Sequence, residues 1–204
     1  MTGQPLDVRL VRGVDALAVL REGWIDLEGA SGEPDFFQSF AWCLHVGEVR
    51  IRAGAGRYEA MAAVGEVAGR IVALWPLSRQ RRAGSWQLRN LDDPFGQLAG
   101  LLAGDRIMAA HLVAAALKMV RVQKAADLAA FERVTLGSAL AEALAVEGAA
   151  ARSRVDAPVV DLAHFATFAE LRSSRNRKSM KNQRNALHRL ERTGAVESLH
   201  PDGE

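Results

Sequence analysis

Leu6, Val8 and Leu10 alternate with Asp7 and Arg9, which predicts an opening strand. Asp15 is placed to cap a helix in which Leu17, Leu20, Trp24 and Leu27 recur at three- and four-residue spacing. A Gly- and Pro-containing loop follows at 30–34. Ser39 then caps a second helix carrying Phe40, Trp42, Cys43, Leu44 and Val46, with its end near Ile51. Cys43 and His45 are expected in the core of that helix, since no chemical partner is visible for either.

After a break at 53–56, Tyr58 to Val64 and Ile71 to Leu77 read as strands joined by a short turn at 65–70. Pro76 should sit at an edge or a bulge, because it has no N–H for a ladder. Residues 78–84 read as a polar connection, Trp86 to Leu91 as a third strand, and 92–96 as a turn cluster leading to an apolar segment at 98–102. Asp105 opens a helix from Arg106 to Gln123 with Ile107, Met108, His111, Leu112, Ala115 and Met119 on one side. Leu128 to Val134 is a further strand, Ser138 caps a short helix ending before Gly148, and 150–160 is extended. Thr167 and Glu170 form a capping box, in which hydroxyl and carboxylate each satisfy an exposed donor.

The predicted order is β-α-α-β-β-β-β-α-β-α-β and then a basic helix. Helices flank a mainly antiparallel run of strands, so the class is α+β or mixed α/β.

That basic helix is the strongest signal. Between Arg172 and Arg192 lie eight basic residues and one acid, Glu191, a net charge of +7. The whole chain carries +2, so the remainder carries −5. Ser174 is the expected N-cap and Gly194 the expected left-handed residue past the end, with Val196 packing back on the last turn. Met180, Ala186, Leu187 and Leu190 make one narrow apolar stripe, and the other faces are cationic. Arg177, Lys181 and Arg184 repel one another, which fits a nearby anion or acidic surface. Clustered Lys and Arg suffice for phosphate contacts. The acidic remainder and the few aromatics near the basic run argue against a general nucleic-acid binder, so nucleic acid is not the expected partner.

Hydrophobic residues at 49% and charged residues at 25% are those of a water-soluble globular chain. No apolar run approaches the ~20 residues needed to cross a bilayer, and the first residues lack a signal-peptide pattern. One cysteine in 204 residues excludes an internal disulfide and a multi-cysteine metal site. The expected location is the cytoplasm. Abundant arginine with scarce lysine suggests a GC-rich bacterial source.

Three sets of residues are candidate sites. Arg81-Arg-Ala-Gly84-Ser-Trp86 is similar to part of the loop with which acetyltransferases of the GNAT superfamily hold the pyrophosphate of acetyl-CoA. Such a loop needs free N–H groups at a helix start, whereas Trp86 begins a strand, so the hairpin reading is preferred. Asp92 and Asp93 could form a carboxylate pair, but beside Pro94-Phe95-Gly96 turn chemistry is preferred. The histidines at 45, 111, 164, 188 and 200 show no metal spacing, and His111 is expected in the core. No catalytic residue can be selected on sequence alone.

In order, the motifs Phe37-Gln-Ser-Phe-Ala-Trp42, Leu74-Trp-Pro-Leu77, Leu88-Arg-Asn-Leu-Asp-Asp-Pro-Phe95, Pro158-Val-Val-Asp-Leu162 and Arg175-Asn-Arg-Lys178 through Leu190-Glu-Arg-Thr-Gly194 carry a family resemblance. Together they resemble the N-terminal half of CelD-type acyltransferases, associated with cellulose and exopolysaccharide biosynthesis. That branch of the GNAT superfamily is related to the Fem-type peptidyltransferases. The resemblance implies a GNAT-like N-terminal domain at 1–166, basic bridging helices at 167–194, and at 195–204 the start of a second GNAT-like domain. It implies that acyl-CoA, such as acetyl-CoA, is bound in the complete protein by that further domain and not by this chain alone. The expected partners are that C-terminal domain and a small-molecule acceptor, an amine or hydroxyl on a sugar or envelope precursor. Arg175, Arg177, Lys178 and Lys181 are the expected anion contacts, to acceptor phosphate or CoA, or else dock the further domain. The competing expectation is a non-catalytic module whose basic helix engages nucleic acid or an acidic partner.

Overall fold

The computed structural model describes residues 5–31, 35–54, 56–156, 164–174 and 177–194. The chain divides into two compact units, Met1–Ala151 and Arg152–Glu204. The class is α+β: a mainly antiparallel sheet flanked by helices.

In the first unit β1 (Asp7–Arg12) leads into α1 (Val14–Ala18), α2 (Arg21–Ala30), a 3₁₀ turn at Phe36–Gln38 and α3 (Phe40–Gly54). The strands β2 (Tyr58–Val67), β3 (Arg70–Arg82), β4 (Ser85–Asn90) and β5 (Leu102–Ala103) follow, then α4 (Arg106–Val122), β6 (Leu128–Ala129) and α5 (Ala139–Val146). The sheet order is β1-β2-β3-β4-β6, with β5 also on β3, and among these strand pairs the β4–β6 pair alone is parallel.

Both faces of the sheet are covered, which is why β2 and β3 read as near-continuous apolar runs. Ala60, Ala62, Val64 and Leu74 face α1–α3 with Leu17, Trp24, Phe40 and Cys43. Met61, Ala63, Trp75, Leu77 and Leu88 face α4 and α5 with Leu112, Val113, Ala116 and Leu140. Small residues let the first layer approach closely: a Cβ on Gly47 would lie 3.3 Å from Val14 and 3.4 Å from Ala60. The two hairpins turn on Ala68-Gly69 and Ala83-Gly84, all four residues with positive φ, the geometry that matches strand twist in two-residue loops.

Several expectations are corrected. The first helix breaks at Val19-Leu20 into α1 and α2, and Asp15 lies in the first turn of α1 while Gly13 holds the cap position. The first hairpin turn is tighter than 65–70, since β2 continues through Gly65 to Val67. Residues 78–82 are strand and not connection: β3 runs to Arg82, with Ser78 and Gln80 buried. Pro76 lies in a central strand, where neither β5, pairing 73–74, nor β4, pairing from 77, reaches β3, so one side lacks a ladder. The buried side of α4 is Ala109, Leu112, Val113, Ala116 and Val120, so Ile107 and His111 are exposed. His45 is exposed as well. The strand expected at 128–134 is two residues long, plus a single parallel bridge from Val134 to Ala99. Residues 150–156 form no regular structure, and the rest of that expected segment lies outside the described residues.

The second unit holds α6 (Phe168–Ser174) and α7 (Arg177–Thr193). Thr167 Oγ1 accepts from the Glu170 N–H at 3.2 Å, and the Glu170 carboxylate accepts from the Ala166 N–H at 2.9 Å, a capping box shifted by one donor. Ser174 is not the cap of the basic helix. It ends α6 and its hydroxyl donates back to Leu171 O at 2.7 Å. Gly194 does not take the left-handed conformation; its N–H bonds Leu190 O at 3.2 Å. Val196 lies outside the described residues. No helix among the described residues is long and apolar enough to cross a membrane.

Candidate functional site

The strands β4 and β6 pair only at Gln87–Leu128 and Leu88–Ala129, then part. Ligands of parallel sheets collect at the carboxyl ends of strands where neighbouring connections diverge. At that place in this fold lies a cluster of buried polar side chains: Ser78, Gln80, Arg89, Asn90, Asp92 and Asp93.

The turn after β4 builds the cluster. Backbone N–H groups of Phe95 and Gly96 bond Asp92 O at 2.6 and 3.1 Å, so residues 91–96 fold back over the sheet. The polar ends of β3 and β4 lie beneath. Asp93 Oδ2 accepts from Arg89 Nε at 2.6 Å and Arg82 Nη2 at 3.0 Å. Arg89 also reaches Glu132, and Asn90 Nδ2 donates to Glu132 O at 3.1 Å, which bridges the gap between the parted strands. Gln80 Nε2 donates to Ser78 Oγ at 2.9 Å and Asp93 O at 3.3 Å. Arg133 Nη1 donates to Pro94 O at 2.9 Å and to Gly96 O.

The helix α3 closes the other side. Trp42 Nε1 donates to Asp92 Oδ2 at 3.1 Å. Its ring lies 5.1 Å from that of Phe36 and 5.7 Å from that of Phe37. Two turns along, the Arg50 guanidinium lies over Tyr58 at 5.1 Å and Phe95 at 5.8 Å, and donates to Gln80 Oε1 at 3.1 Å. Phe36 is 61% exposed and Phe95 54% exposed. A rim of exposed rings therefore borders the buried carboxylates.

Burial raises the Asp92 carboxyl above its ordinary value of 3.8, and the Trp42 hydrogen bond partly offsets this. Burial also pushes the Cys43 thiol well up, with Asp92 and Glu28 adding to the shift, so Cys43 is no thiolate nucleophile. The Tyr58 phenol is raised too, chiefly by burial, and its hydroxyl donates to Leu91 O at 2.8 Å.

The turn reading of Asp92 and Asp93 is thus half of the matter: the backbone makes the turn and the carboxylates face inward. The members that sequence reasoning misses are Arg50, Arg89 and Glu132. Arg89 carries a signal, standing four residues before Asp93 between Leu88 and Asn90 of the expected strand. The Ala83-Gly84 segment is a hairpin turn, as preferred. The start of α4 offers no phosphate cradle either, because Asp105 Oδ1 takes the Met108 N–H at 2.8 Å. Among the described residues no group of three or more His, Cys, Asp or Glu is placed to hold a metal. Of the anion contacts expected on the basic segment, Arg175 lies outside the described residues, Arg177 opens α7, and Lys178 and Lys181 are exposed on it.

No family model and no curated protein matches the chain. Two solved structures are similar at 16% identity. One is a mutant of TTHA1254 from Thermus thermophilus, with a TM-score of 0.42 over 69% of this chain and 92% of that one. The other is described as a probable acetyltransferase, with a TM-score of 0.38 over 75% of this chain and 99% of that one. At these values the likeness is loose, and the fold described above rests on its own strand order.

Proposed function

We propose that the first unit is the acceptor-side domain of a GNAT-type acyltransferase, in which an acyl group moves from acyl-CoA to an amine or hydroxyl of a sugar or envelope precursor. The observation that carries this reading is Asp92. A carboxyl held above its ordinary range by burial is better matched to taking a proton from an amine or hydroxyl near neutral pH. It stands beside exposed rings on which an acceptor can rest, and the ordered sequence motifs support the same class. The residues of this unit do not fit the pyrophosphate of acyl-CoA, since the Ala83-Gly84 turn starts a strand and α4 is capped by its own Asp105. Donor contacts are therefore assigned to Arg175, Arg177, Lys178 and Lys181 or to a further domain.

The test is acetyl-CoA calorimetry on the chain and on a variant with those four residues changed to Ala, with release of free CoA followed over a panel of amino sugars and polyols. Turnover that falls at least tenfold in Asp92→Asn supports the reading. Turnover unchanged in Asp92→Asn overturns the role of Asp92. A second reading, a non-catalytic module binding an anionic partner, is favoured by the exposure of every described side chain of α7.

A further inference from the structure

We infer that the cationic face of α7 is a binding surface for the phosphate backbone of nucleic acid. The inference takes up the second reading above and names the partner; it does not depend on whether the chain catalyses acyl transfer.

Lys178, Lys181, Arg184, Arg189 and Arg192 are all exposed on this helix. At 3.6 residues per turn these five, with Asn182, Asn185 and His188, fall within an arc of about 160°. The one acid of the helix, Glu191, lies outside that arc and is engaged by His188 Nδ1 at 2.9 Å. Among the described residues no carboxylate pairs with Lys181, Arg184 or Arg189. A helix stabilised for its own sake would carry acids at the i+4 positions. This one sets like charges three residues apart, at 178 and 181, 181 and 184, and 189 and 192. Around Lys181, Arg184 and Arg189, which no described carboxylate pairs, that repulsion is relieved when a polyanion supplies the opposite charge.

The position of the apolar residues separates the candidate partners. Leu187 and Leu190, 44% and 58% exposed, fall on the side opposite the cationic arc. A helix lying on a membrane with those leucines down would hold the middle of its cationic arc away from the headgroups, and two leucines give little apolar area for adsorption. A partner gripped by the cationic face leaves the leucines behind it. A helix 10–12 Å across matches a DNA major groove about 12 Å wide. The span from residue 178 to 192 is roughly 21 Å, enough for several phosphates. An acidic protein surface would need only the charges. Asn182 and Asn185, set among them, add the paired donor and acceptor that suit an adenine edge. Of the −5 carried outside 172–192, the unit Met1–Ala151 holds −1, so the balance that weighs against nucleic acid falls mostly, at −4, on residues of the second unit that lie outside the helix.

The experiment is fluorescence anisotropy of the 204-residue chain with a labelled DNA duplex of about 20 base pairs, between about 50 and 200 mM NaCl. Five phosphate contacts predict a log K against log salt slope of about −4.5. The exposed triple variant Lys181→Glu, Arg184→Glu, Arg189→Glu keeps good helix formers and should lose at least about 100-fold in affinity with an unchanged circular dichroism spectrum. Leu187→Gln with Leu190→Gln should leave DNA binding unchanged. No binding at the lowest salt overturns the inference. Equal affinity for polyglutamate overturns nucleic acid as the partner while leaving the binding-module reading standing. Sedimentation with phosphatidylglycerol vesicles, lost in the leucine variant, together with absent DNA binding, assigns the face to a membrane and overturns it.

Discussion

The indole N–H of Trp42 donates to Oδ2 of Asp92 at 3.1 Å and so ties the first turns of α3 to the loop after β4. It is a charge-assisted bond in a partly buried place, and Trp42→Phe removes the donor while keeping a ring against Phe36 and Phe37. The expected loss is about 1.5–3 kcal/mol, the range for bonds to charged groups. Because the same bond holds the Asp92 carboxyl down, its removal should move that carboxyl further up. Urea unfolding and carboxyl carbon NMR titration measure the two effects. Unchanged stability with an unmoved titration would mean that Trp42 and Asp92 do not interact.

Asp92 gives stability a pH dependence of known sign. Its folded pKa lies above the unfolded value, with burial as the main cause. A folded state that holds the proton more tightly is favoured at low pH, so this contribution is fully present below the unfolded value and is lost as pH rises through the folded one. Asp92→Asn keeps an oxygen that can accept from Trp42 and removes the charge. The stability of the Asn variant relative to the parent should therefore be greater near neutral pH than at a pH of about 3.5, below the unfolded carboxyl value. Unfolding curves at both values decide it; a difference that stays flat or shrinks with rising pH contradicts the shift.

Gly96 is required by the same carboxylate. A Cβ there would overlap the Asp92 side chain, so Gly96→Ala must push either the turn or the acid aside. Overpacking of this kind costs about 1–3 kcal/mol. In an Asp92→Ala background the clash partner is gone, and a double-mutant cycle should return a coupling of at least about 1 kcal/mol. Additive losses would place the cost of Gly96→Ala elsewhere in the turn.

Legibility in the sequence follows burial. Where a face is plainly apolar the pattern finds the buried residues: Leu17, Trp24 and Leu27 are buried although their helix breaks into α1 and α2, and Met61 and Ala63 are buried in β2. Where the chain buries polar groups, the pattern misleads. Ser78 and Gln80 read as a connection because hydroxyls and amides normally face water, yet here Ser78 Oγ donates to Asn90 O at the end of β4, and Gln80 Nε2 donates to Ser78 Oγ and to Asp93 O of the turn. Asp92 and Asp93 are legible as a turn, since turn chemistry is local. The partner Arg82 of Asp93, on the β3–β4 hairpin, and the partner Trp42 of Asp92, on α3, can be paired with them only once the place of the loop against those elements is known. His111 lies just off the buried side of α4; Ile107, four residues before it, is apolar yet also faces solvent, and so draws the expected stripe too far round the helix.

The turn residue Ala83 has φ of 47° where glycine is the relaxed choice. Left-handed backbone costs an alanine about 1–2 kcal/mol, and the added freedom of a glycine in the unfolded chain takes back about 0.5–1 kcal/mol. Ala83→Gly should therefore stabilise by up to about 1 kcal/mol, a rise of roughly 2–4 °C in Tm for a chain of this size. A lower Tm would mean that the hairpin does not turn at these two residues.

Arg89 and Arg82 share one acceptor oxygen on Asp93, yet they should not matter equally. The Arg89 side chain is 6% exposed and that of Arg82 40% exposed. Removing Arg89 leaves a buried carboxylate short of its main partner, a change that costs about 3–5 kcal/mol. The Arg82 pair is screened by water, and Arg82→Ala should cost no more than about 1 kcal/mol. Replacing both members of the buried pair, Arg89→Met with Asp93→Leu, should recover much of the loss from Arg89→Met alone, because no stranded charge remains. Guanidinium unfolding of the four variants tests the ranking. Equal losses from the two arginines would show that Asp93 is hydrated in solution, and the cluster at the ends of β4 and β6 would then be open to water rather than closed beneath the turn.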